Sequence, residues 1–329
     1  MSRRAAALIA AAASSALVAA QVTVPRWSGF HTWEFAATLA VLIWVLGSYA
    51  LALRKRPDGE DAARYIVAII GFLIIAAAGL IDGLLGPDSE LVQRAPGAVA
   101  VIPQARIAAF FPAVDAMAVK RGAVGITLRR QGGAALHLAP GGRTYLGATV
   151  LDAVPRVAAY VEGEDRAGDH LTVTQPTNPA FLSPVALFSQ AVPIAGGTVP
   201  AESFAVPARH RTLKVFYFAG GSIPGLQARG FGNGAVVLFA VDDERGALVP
   251  GGIAAAANQR FVTVGDLELR ATLGTYPALA VSSIPSPALL WLGGALSLGG
   301  LLYARFATVR SARALAGARR EPDCIAASR

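Results

Sequence analysis

The sequence predicts a membrane protein with three or four transmembrane helices and an extracytoplasmic all-β domain, an antiparallel sandwich or barrel, inserted between the last two helices. Two observations support this fold class. Of the 329 residues, 54% are hydrophobic and only 15% are charged, whereas soluble domains carry about 25% charged residues. Between the third and fourth apolar stretches, short β-branched runs alternate with turn residues, a pattern typical of antiparallel strands.

Four stretches are long and apolar enough to cross a bilayer, which takes roughly 17 to 25 residues. They cover about residues 5–24, 35–53, 65–81 and 285–304. The first stretch follows Arg3 and Arg4 and ends in small residues before Gln21, so it fits either an anchoring helix or a cleavable signal peptide. Residues 1–84 are therefore predicted to form an N-terminal membrane region, and the chain has four spans or three.

Basic residues beside the spans predict the orientation, because Lys and Arg stay preferentially on the cytoplasmic side. The loop 54–64 holds four of them and the tail 305–329 holds six, whereas the loop 21–34 has only Arg26. We expect a multi-pass protein of the cytoplasmic (inner) membrane with a basic cytoplasmic tail. The segment 85–284 is expected on the periplasmic or extracellular side.

Residues 85–284 read as short strands separated by turns. The strand-like runs cover residues 123–130, 134–140, 143–150, 156–163, 170–175, 212–220, 234–243 and 260–274. One helical segment is predicted near residues 115–120. The only cysteine, Cys324, lies in the tail, so the β domain has no disulfide and must be stabilised by its own apolar core.

Most of the net charge of +8 comes from the segments that flank the spans, since residues 85–284 hold 16 Lys and Arg against 14 Asp and Glu. This distribution indicates membrane lipid, and no nucleic acid, as a partner. No nucleophile elbow, P-loop or dinucleotide fingerprint occurs, and the four histidines lack metal-ligand spacing. We therefore expect neither a catalytic site nor a metal site.

His31 differs from the other histidines because aromatic residues surround it just before the second span, in PRWSGFHTWEF. Trp27 and Trp33 are typical of the aromatic belt at the membrane interface. The same residues also fit a haem-handling surface, because an imidazole can ligate haem iron and flat aromatic rings can stack on the porphyrin. His31, Trp27 and Trp33 are accordingly the candidate haem-binding residues, and haem, bound transiently, is the candidate cofactor.

Two longer motifs accompany this topology. The stretch TNPAFLSPVALFSQ runs from Thr177 to Gln190 with a polar amide near each end, Asn178 and Gln190. The stretch from Val264 to Phe306 places Tyr276, an extended segment, Pro285 and a last helix that contains Gly293 and Gly299. With the spans around a β domain, these motifs resemble a short, divergent form of the ResB family, cytochrome c biogenesis proteins of the System II haem-attachment machinery.

The resemblance implies an accessory protein that supports haem delivery or apocytochrome presentation at the outer face of the cytoplasmic membrane. Its implied partners are a ResC/CcsA-like multi-span membrane protein and apocytochrome c. The chain itself is then a non-catalytic subunit. The alternative is a membrane-tethered β scaffold of another envelope complex, with no role in haem handling.

Overall fold

The computed structural model describes the backbone of residues 3–54, 59–130, 132–175, 178–182, 184–194, 197–220 and 234–318. Side chains are described for the same residues apart from 59–64, 178–182 and 307–318. The chain forms two compact units. The helical unit comprises Met1–Glu90, Tyr145–Val150 and Val281–Arg329, and the β unit comprises Leu91–Thr144 and Leu151–Ala280.

Four long helices confirm the four apolar stretches. They are α1 (Arg3–Thr23), α2 (Trp33–Arg54), α3 (Gly59–Leu85) and α5 (Pro287–Ala318), and a short helix α4 covers Ala116–Arg121. All four long helices are long and apolar enough to span a membrane, α3 over Tyr65–Leu85 and α5 over Pro287–Phe306. The last helix starts two residues later than predicted, with Pro287 at its first position, where the missing N–H has no helical partner.

Small residues bring α3 and α5 together within the helical unit. A Cβ atom on Gly293 would lie 2.7 Å from Cγ1 of Ile75 and 2.8 Å from the carbonyl oxygen of Gly71, and one on Gly300 would collide with Ala68. Packing of this kind is how membrane helices associate, since lipid tails remove the usual hydrophobic driving force between helices. Gly293 is thus an essential contact point of the bundle.

Eighteen strands are described. They are β1 Glu90–Val92, β2 Val99–Ile102, β3 Ile107–Phe110, β4 Ile126–Arg130, β5 Ala135–Leu138, β6 Arg143–Leu146, β7 Thr149–Asp165, β8 His170–Leu171, β9 Thr174–Gln175, β10 Asn178–Leu182, β11 Val185–Ala186, β12 Gln190–Ile194, β13 Gly197–Val206, β14 Arg211–Phe218, β15 Val236–Asp242, β16 Leu248–Ala257, β17 Phe261–Val264 and β18 Leu267–Ser283. The predicted antiparallel β domain is therefore confirmed.

The strands form three sheets. Sheet 1 has the order β1-β18-β7-β11, with β17 on β18 and both β6 and β8 on β7. Sheet 2 has the order β10-β9-β13-β14-β15-β16, with β12 on β13. Sheet 3 has the order β2-β3-β4-β5. The described strand registers in all three sheets are antiparallel.

Sheets 1 and 2 share one apolar core, which makes this part of the β unit a sandwich. Leu267 and Leu269 of β18 are buried in the same cluster as Phe204 of β13 and Phe239 of β15. Along β14, Leu213 and its second neighbour Val215 join the cluster, because alternate residues of a strand point to the same face. The alternation of residues along β14 therefore matches its buried face.

The helix predicted near residues 115–120 is present as α4. Asp115 caps it, since its Oδ1 accepts a hydrogen bond of 2.7 Å from the backbone N–H of Ala118. Gly122 ends it at φ 63°, in the left-handed region that glycine adopts without strain.

Candidate functional site

Polar side chains are buried at one end of α1 and α3 in the helical unit. Gln21 donates its Nε2 amide to the backbone carbonyl oxygen of Gly79 at 3.2 Å, and its Oε1 has no hydrogen-bond partner among the described residues. Asp82, in the last turn of α3, is buried and hydrogen-bonded to Ser283. Such contacts compensate the high cost of placing polar groups at membrane depth.

His31 ends a short 3₁₀ turn, Ser28–His31, between α1 and α2. It is close enough to Asp82 for an electrostatic interaction, so the structure brings together two ionisable residues that lie 51 positions apart in the sequence. Its Nδ1 atom is buried and has no hydrogen-bond partner in the described part of the chain.

The aromatic residues around His31 are arranged as a membrane-interface belt. Phe30 and Phe35 are buried and meet edge to face, with ring centroids 5.3 Å apart. Trp27 is exposed and contacts the edge of Phe30 at 4.8 Å, and Trp33 is exposed at the start of α2. Exposed tryptophans at helix ends suit the headgroup level of a bilayer.

These residues fit haem only in part. A histidine that binds a metal through one ring nitrogen normally donates the N–H of the other to an acceptor, which fixes the ring, and Nδ1 of His31 lacks such an acceptor among the described residues. The assignment of haem to His31, Trp27 and Trp33 stays a prediction.

A second candidate site is a groove in the β unit, where the chain passes from sheet 1 to sheet 2. Since β11 pairs with β7 and the next strand, β12, pairs with β13, residues 187–189 cross between the two sheets. Phe188 lies at φ 54°, a left-handed conformation that is uncommon without glycine, and its ring packs on Tyr217 with centroids 5.3 Å apart. A cavity of about 440 Å³ opens beside this crossing.

Glu202 and Ser189 fix the wall of the groove. Glu202 is buried in β13, and its Oε2 accepts hydrogen bonds from the backbone N–H of Ser189 at 3.2 Å and from the Ser189 hydroxyl at 3.0 Å. Hydrogen bonds to an ionised acceptor are stronger than neutral ones, so this pair holds the crossing segment in place against β13.

The rest of the groove combines amide and hydroxyl groups with apolar surface. Its other lining residues are Gln93, Arg94, Ala95, Gln175, Leu187, Gln190 and Ser203. The Nε2 donor of Gln93 is buried without a partner in the described part of the chain. A buried donor without an acceptor is unfavourable, and a carbonyl oxygen of a ligand would satisfy it.

This arrangement is suited to an extended polypeptide. The groove begins at Gln190, the first residue of β12, and β12 pairs only with β13 among the described strands. An edge strand offers backbone groups to an added strand. Pro193 in β12 lacks an N–H group, so this edge has fewer donors than a regular strand, and the glutamine side chains of the groove supply others.

The residues of the two sequence motifs are placed differently. Gln190 lines the groove, whereas Asn178 lies in β10 and its side chain is outside the described residues. Tyr276 is buried in the β unit, away from any role in binding, and Gly293 packs against α3. A Cβ on Gly299 would meet open space, so Gly300 makes the second close helix contact.

Sequence reasoning missed Gln93, Arg94 and Glu202. The first two follow a strand of only three residues, β1, which is too short to show alternation. Glu202 lies in GTVPAESFAV, where proline and alanine weaken the strand signal. The one sequence feature that marks Glu202 is an acidic residue in an otherwise uncharged strand, directly after Ala201 and two positions before Phe204.

Comparisons of the chain with protein-family models, with curated proteins and with solved structures found no match.

Proposed function

We propose that this protein is a ResB-like accessory protein of c-type cytochrome biogenesis, anchored in the cytoplasmic membrane, whose β domain holds an extended segment of apocytochrome c. In this proposal the β domain is inserted between the last two membrane helices and faces the outside of the cell. A ResC/CcsA-like multi-span partner supplies the haem and the bond-forming chemistry. The chain acts as a non-catalytic subunit.

The observation that carries the proposal is the groove beside the Phe188 crossing. Part of its lining, Leu187, Ser189 and Gln190, belongs to the motif on which the resemblance to the ResB family rests. The unpartnered Nε2 donor of Gln93 and the neighbouring edge strand β12 provide complementary groups for a peptide backbone. Leu187 adds an apolar contact for a side chain of the bound segment.

The mechanism requires three steps from this chain's residues. The Glu202–Ser189 hydrogen bonds keep the groove open. Gln93 and the edge of β12 then bind backbone groups of the client and hold it extended. An extended client exposes its cysteine pair to the partner that carries haem, and the membrane helices keep the complex at the bilayer.

Photo-crosslinking tests the binding step. A photoreactive phenylalanine at Gln190, at the groove, should crosslink an apocytochrome that carries a haem-attachment motif in intact cells. The matched control places the same amino acid at Ile253, which is exposed in β16 of the same sheet. Equal crosslinking from both positions, or none from Gln190, contradicts the proposal.

A groove-filling variant tests the function. Ser203→Trp should lower the amount of haem-stained c-type cytochromes, whereas Thr263→Trp, on an exposed position of β17, should not. Immunoblots confirm that both variants reach the membrane in equal amounts. If Gln190 instead crosslinks a protein that is not a cytochrome, and Ser203→Trp leaves cytochromes unchanged, the chain is a scaffold of another envelope complex.

A further inference from the structure

The outward face of sheet 3 combines apolar and basic side chains. The register aligns Val99 with Phe110 and Val101 with Ala108, and it places Arg129 opposite Ala108 on the next strand. Val99 is 48% exposed, Val101 is 73% exposed and Phe110 is 36% exposed. The opposite face of the same strands is buried and includes Ala100, Ile102, Ala109, Ile126 and Leu128.

Arginines lie at one end of this apolar face. Arg106 lies at the exposed turn between β2 and β3, and Arg129 and Arg130 end β4. Arg129 shares the outward face, because it lies opposite Ala108 and Val101, whereas Arg130 pairs with the buried Ile107 and therefore alternates to the other face at the end of the strand. No described residue forms an ion pair with any of them.

The charge of this region is strongly positive. Residues 91–144 hold seven Lys and Arg against one Asp, whereas residues 151–280 hold nine Lys and Arg against eleven Asp and Glu. The β domain therefore combines the positive charge of residues 91–144, which include sheet 3, with the slight negative charge of residues 151–280. A basic region with exposed apolar side chains is the composition of surfaces that bind anionic bilayers.

The covalent connections keep the domain close to a membrane. Four residues separate α3 from β1, and three separate β18 from α5. An extended chain covers at most about 3.6 Å per residue, so each connection reaches no farther than roughly 15 Å. Anionic phospholipid is consequently always within reach of the β domain, at a high local concentration.

We infer that the outward face of sheet 3 binds an anionic phospholipid surface, with Val99, Val101 and Phe110 entering the headgroup region and Arg106 and Arg129 binding lipid phosphates. Guanidinium groups form paired hydrogen bonds with phosphate oxygens. The contact also covers β2, an edge strand without the charged residues or prolines that usually protect an edge. This inference is independent of haem and of the peptide groove.

The test uses full-length protein in lipid nanodiscs, in a Cys324→Ser background. Val101→Cys carries an environment-sensitive fluorophore, and Ile253→Cys, exposed on β16, carries the same fluorophore as the matched control. In nanodiscs with phosphatidylglycerol, nitroxide-labelled lipid should quench the fluorophore at position 101 and not that at position 253. In pure phosphatidylcholine the quenching at position 101 should be lost.

Charge variants test whether the arginine side chains cause the quenching at position 101. Arg106→Glu with Arg129→Glu should abolish the quenching at position 101, whereas Arg106→Lys with Arg129→Lys should retain it, and circular dichroism should show the same β content in both. Raising the salt from about 0.1 to 1 M shortens the Debye length from about 10 to 3 Å and should weaken the quenching. A fluorophore at position 101 that stays open to aqueous iodide in both lipids overturns the inference. Protection from iodide only in native membranes, and not in nanodiscs, indicates a protein partner and also overturns it.

Discussion

Tyr276 is wholly buried in β18, and its hydroxyl donates a hydrogen bond of 2.8 Å to the backbone carbonyl oxygen of Pro112. Burial raises the pKa of this phenol, so the group remains a donor throughout the physiological range. The contact joins β18 to the segment that follows β3, 164 residues earlier in the chain. The resemblance to a family singled out Tyr276, and the structure gives it a role in stability.

The Tyr276→Phe variant should therefore unfold at a lower urea concentration than the wild-type protein. Removing the hydroxyl takes this donor away from the half-buried Pro112 carbonyl, which costs about 0.5–1.5 kcal/mol of the free energy of unfolding. Tyr145→Phe is the control, because Tyr145 is half exposed. Far-UV circular dichroism in detergent follows the β content, and equal midpoints for both variants contradict this role.

Asp165 makes one turn of the β unit sensitive to acid. Its Oδ1 accepts hydrogen bonds from the backbone N–H groups of Ala167 at 2.8 Å and Asp169 at 3.0 Å, and Arg209 binds its Oδ2 at 2.6 Å. These contacts, with the Asp169 N–H first among them, hold the pKa of the carboxyl below its usual value. A carboxylate of this kind stabilises the fold at pH values above the ordinary aspartate pKa, and its contribution is lost as the pH falls through the lowered value.

We expect Asp165→Asn to lower the melting temperature at pH 7 and to have no effect at a pH below the lowered pKa, where the wild-type carboxyl is also neutral. Asp169→Asn is the matched control, because Asp169 contributes its backbone N–H to the turn. Thermal unfolding at a series of pH values measures the difference. If the difference in melting temperature between the wild type and Asp165→Asn is the same at acidic pH as at pH 7, the charge of Asp165 is not what stabilises the turn.

At the scale of single elements, the sequence was sufficient where one physical signal dominated. Long uncharged stretches predicted all four apolar helices, and β-branched runs predicted strands over β14 and β15. Strands rich in alanine, glycine or proline, such as β2, β13 and β16, were missed because their residues have low strand propensity. Sheet pairing stabilises them nonetheless.

The groove was beyond sequence reasoning for a different reason. Its lining comes from four separate stretches of the chain. The left-handed backbone conformation of Phe188 at the crossing is not predicted by any local sequence pattern. The motif ending at Gln190 was recognised, but its partners Gln93 and Glu202 are distant in sequence. Periodicity can indicate which face of a strand is buried, but it does not predict which distant segments of the chain lie next to one another.

The contact between α3 and α5 can be tested with two neighbouring glycines, Gly293 in the contact and Gly294 outside it. Gly293→Leu should separate the two helices, because its side chain meets Ile75 and the backbone of Gly71, and overpacking of a tight contact costs about 1–3 kcal/mol. The same change at the adjacent residue, Gly294→Leu, points into open space. Size-exclusion chromatography after heating in detergent should show loss of the monodisperse peak for Gly293→Leu alone. Equal loss for both variants would indicate a general effect of leucine.

For the whole molecule, the predicted sidedness can be measured with one cysteine at a time. The wild-type Cys324 in the basic tail should react with a membrane-impermeant maleimide only after spheroplasts are lysed. In the Cys324→Ser background, Ile253→Cys on the exposed face of β16 should react in intact spheroplasts, because the β domain is expected outside. Labelling of Cys324 in intact spheroplasts, with protection of position 253, would reverse the topology and remove the proposed role.

Strand β18 occupies the interior of sheet 1, between β1 and β7, although it is the last strand to leave the ribosome. The first sheet consequently stays open, with its apolar side uncovered, until nearly the entire chain has been translated and only the closing helix remains to be inserted. Pairing across such a separation is entropically slow. Any truncation before Leu267 should therefore yield a product that is degraded instead of a smaller folded domain.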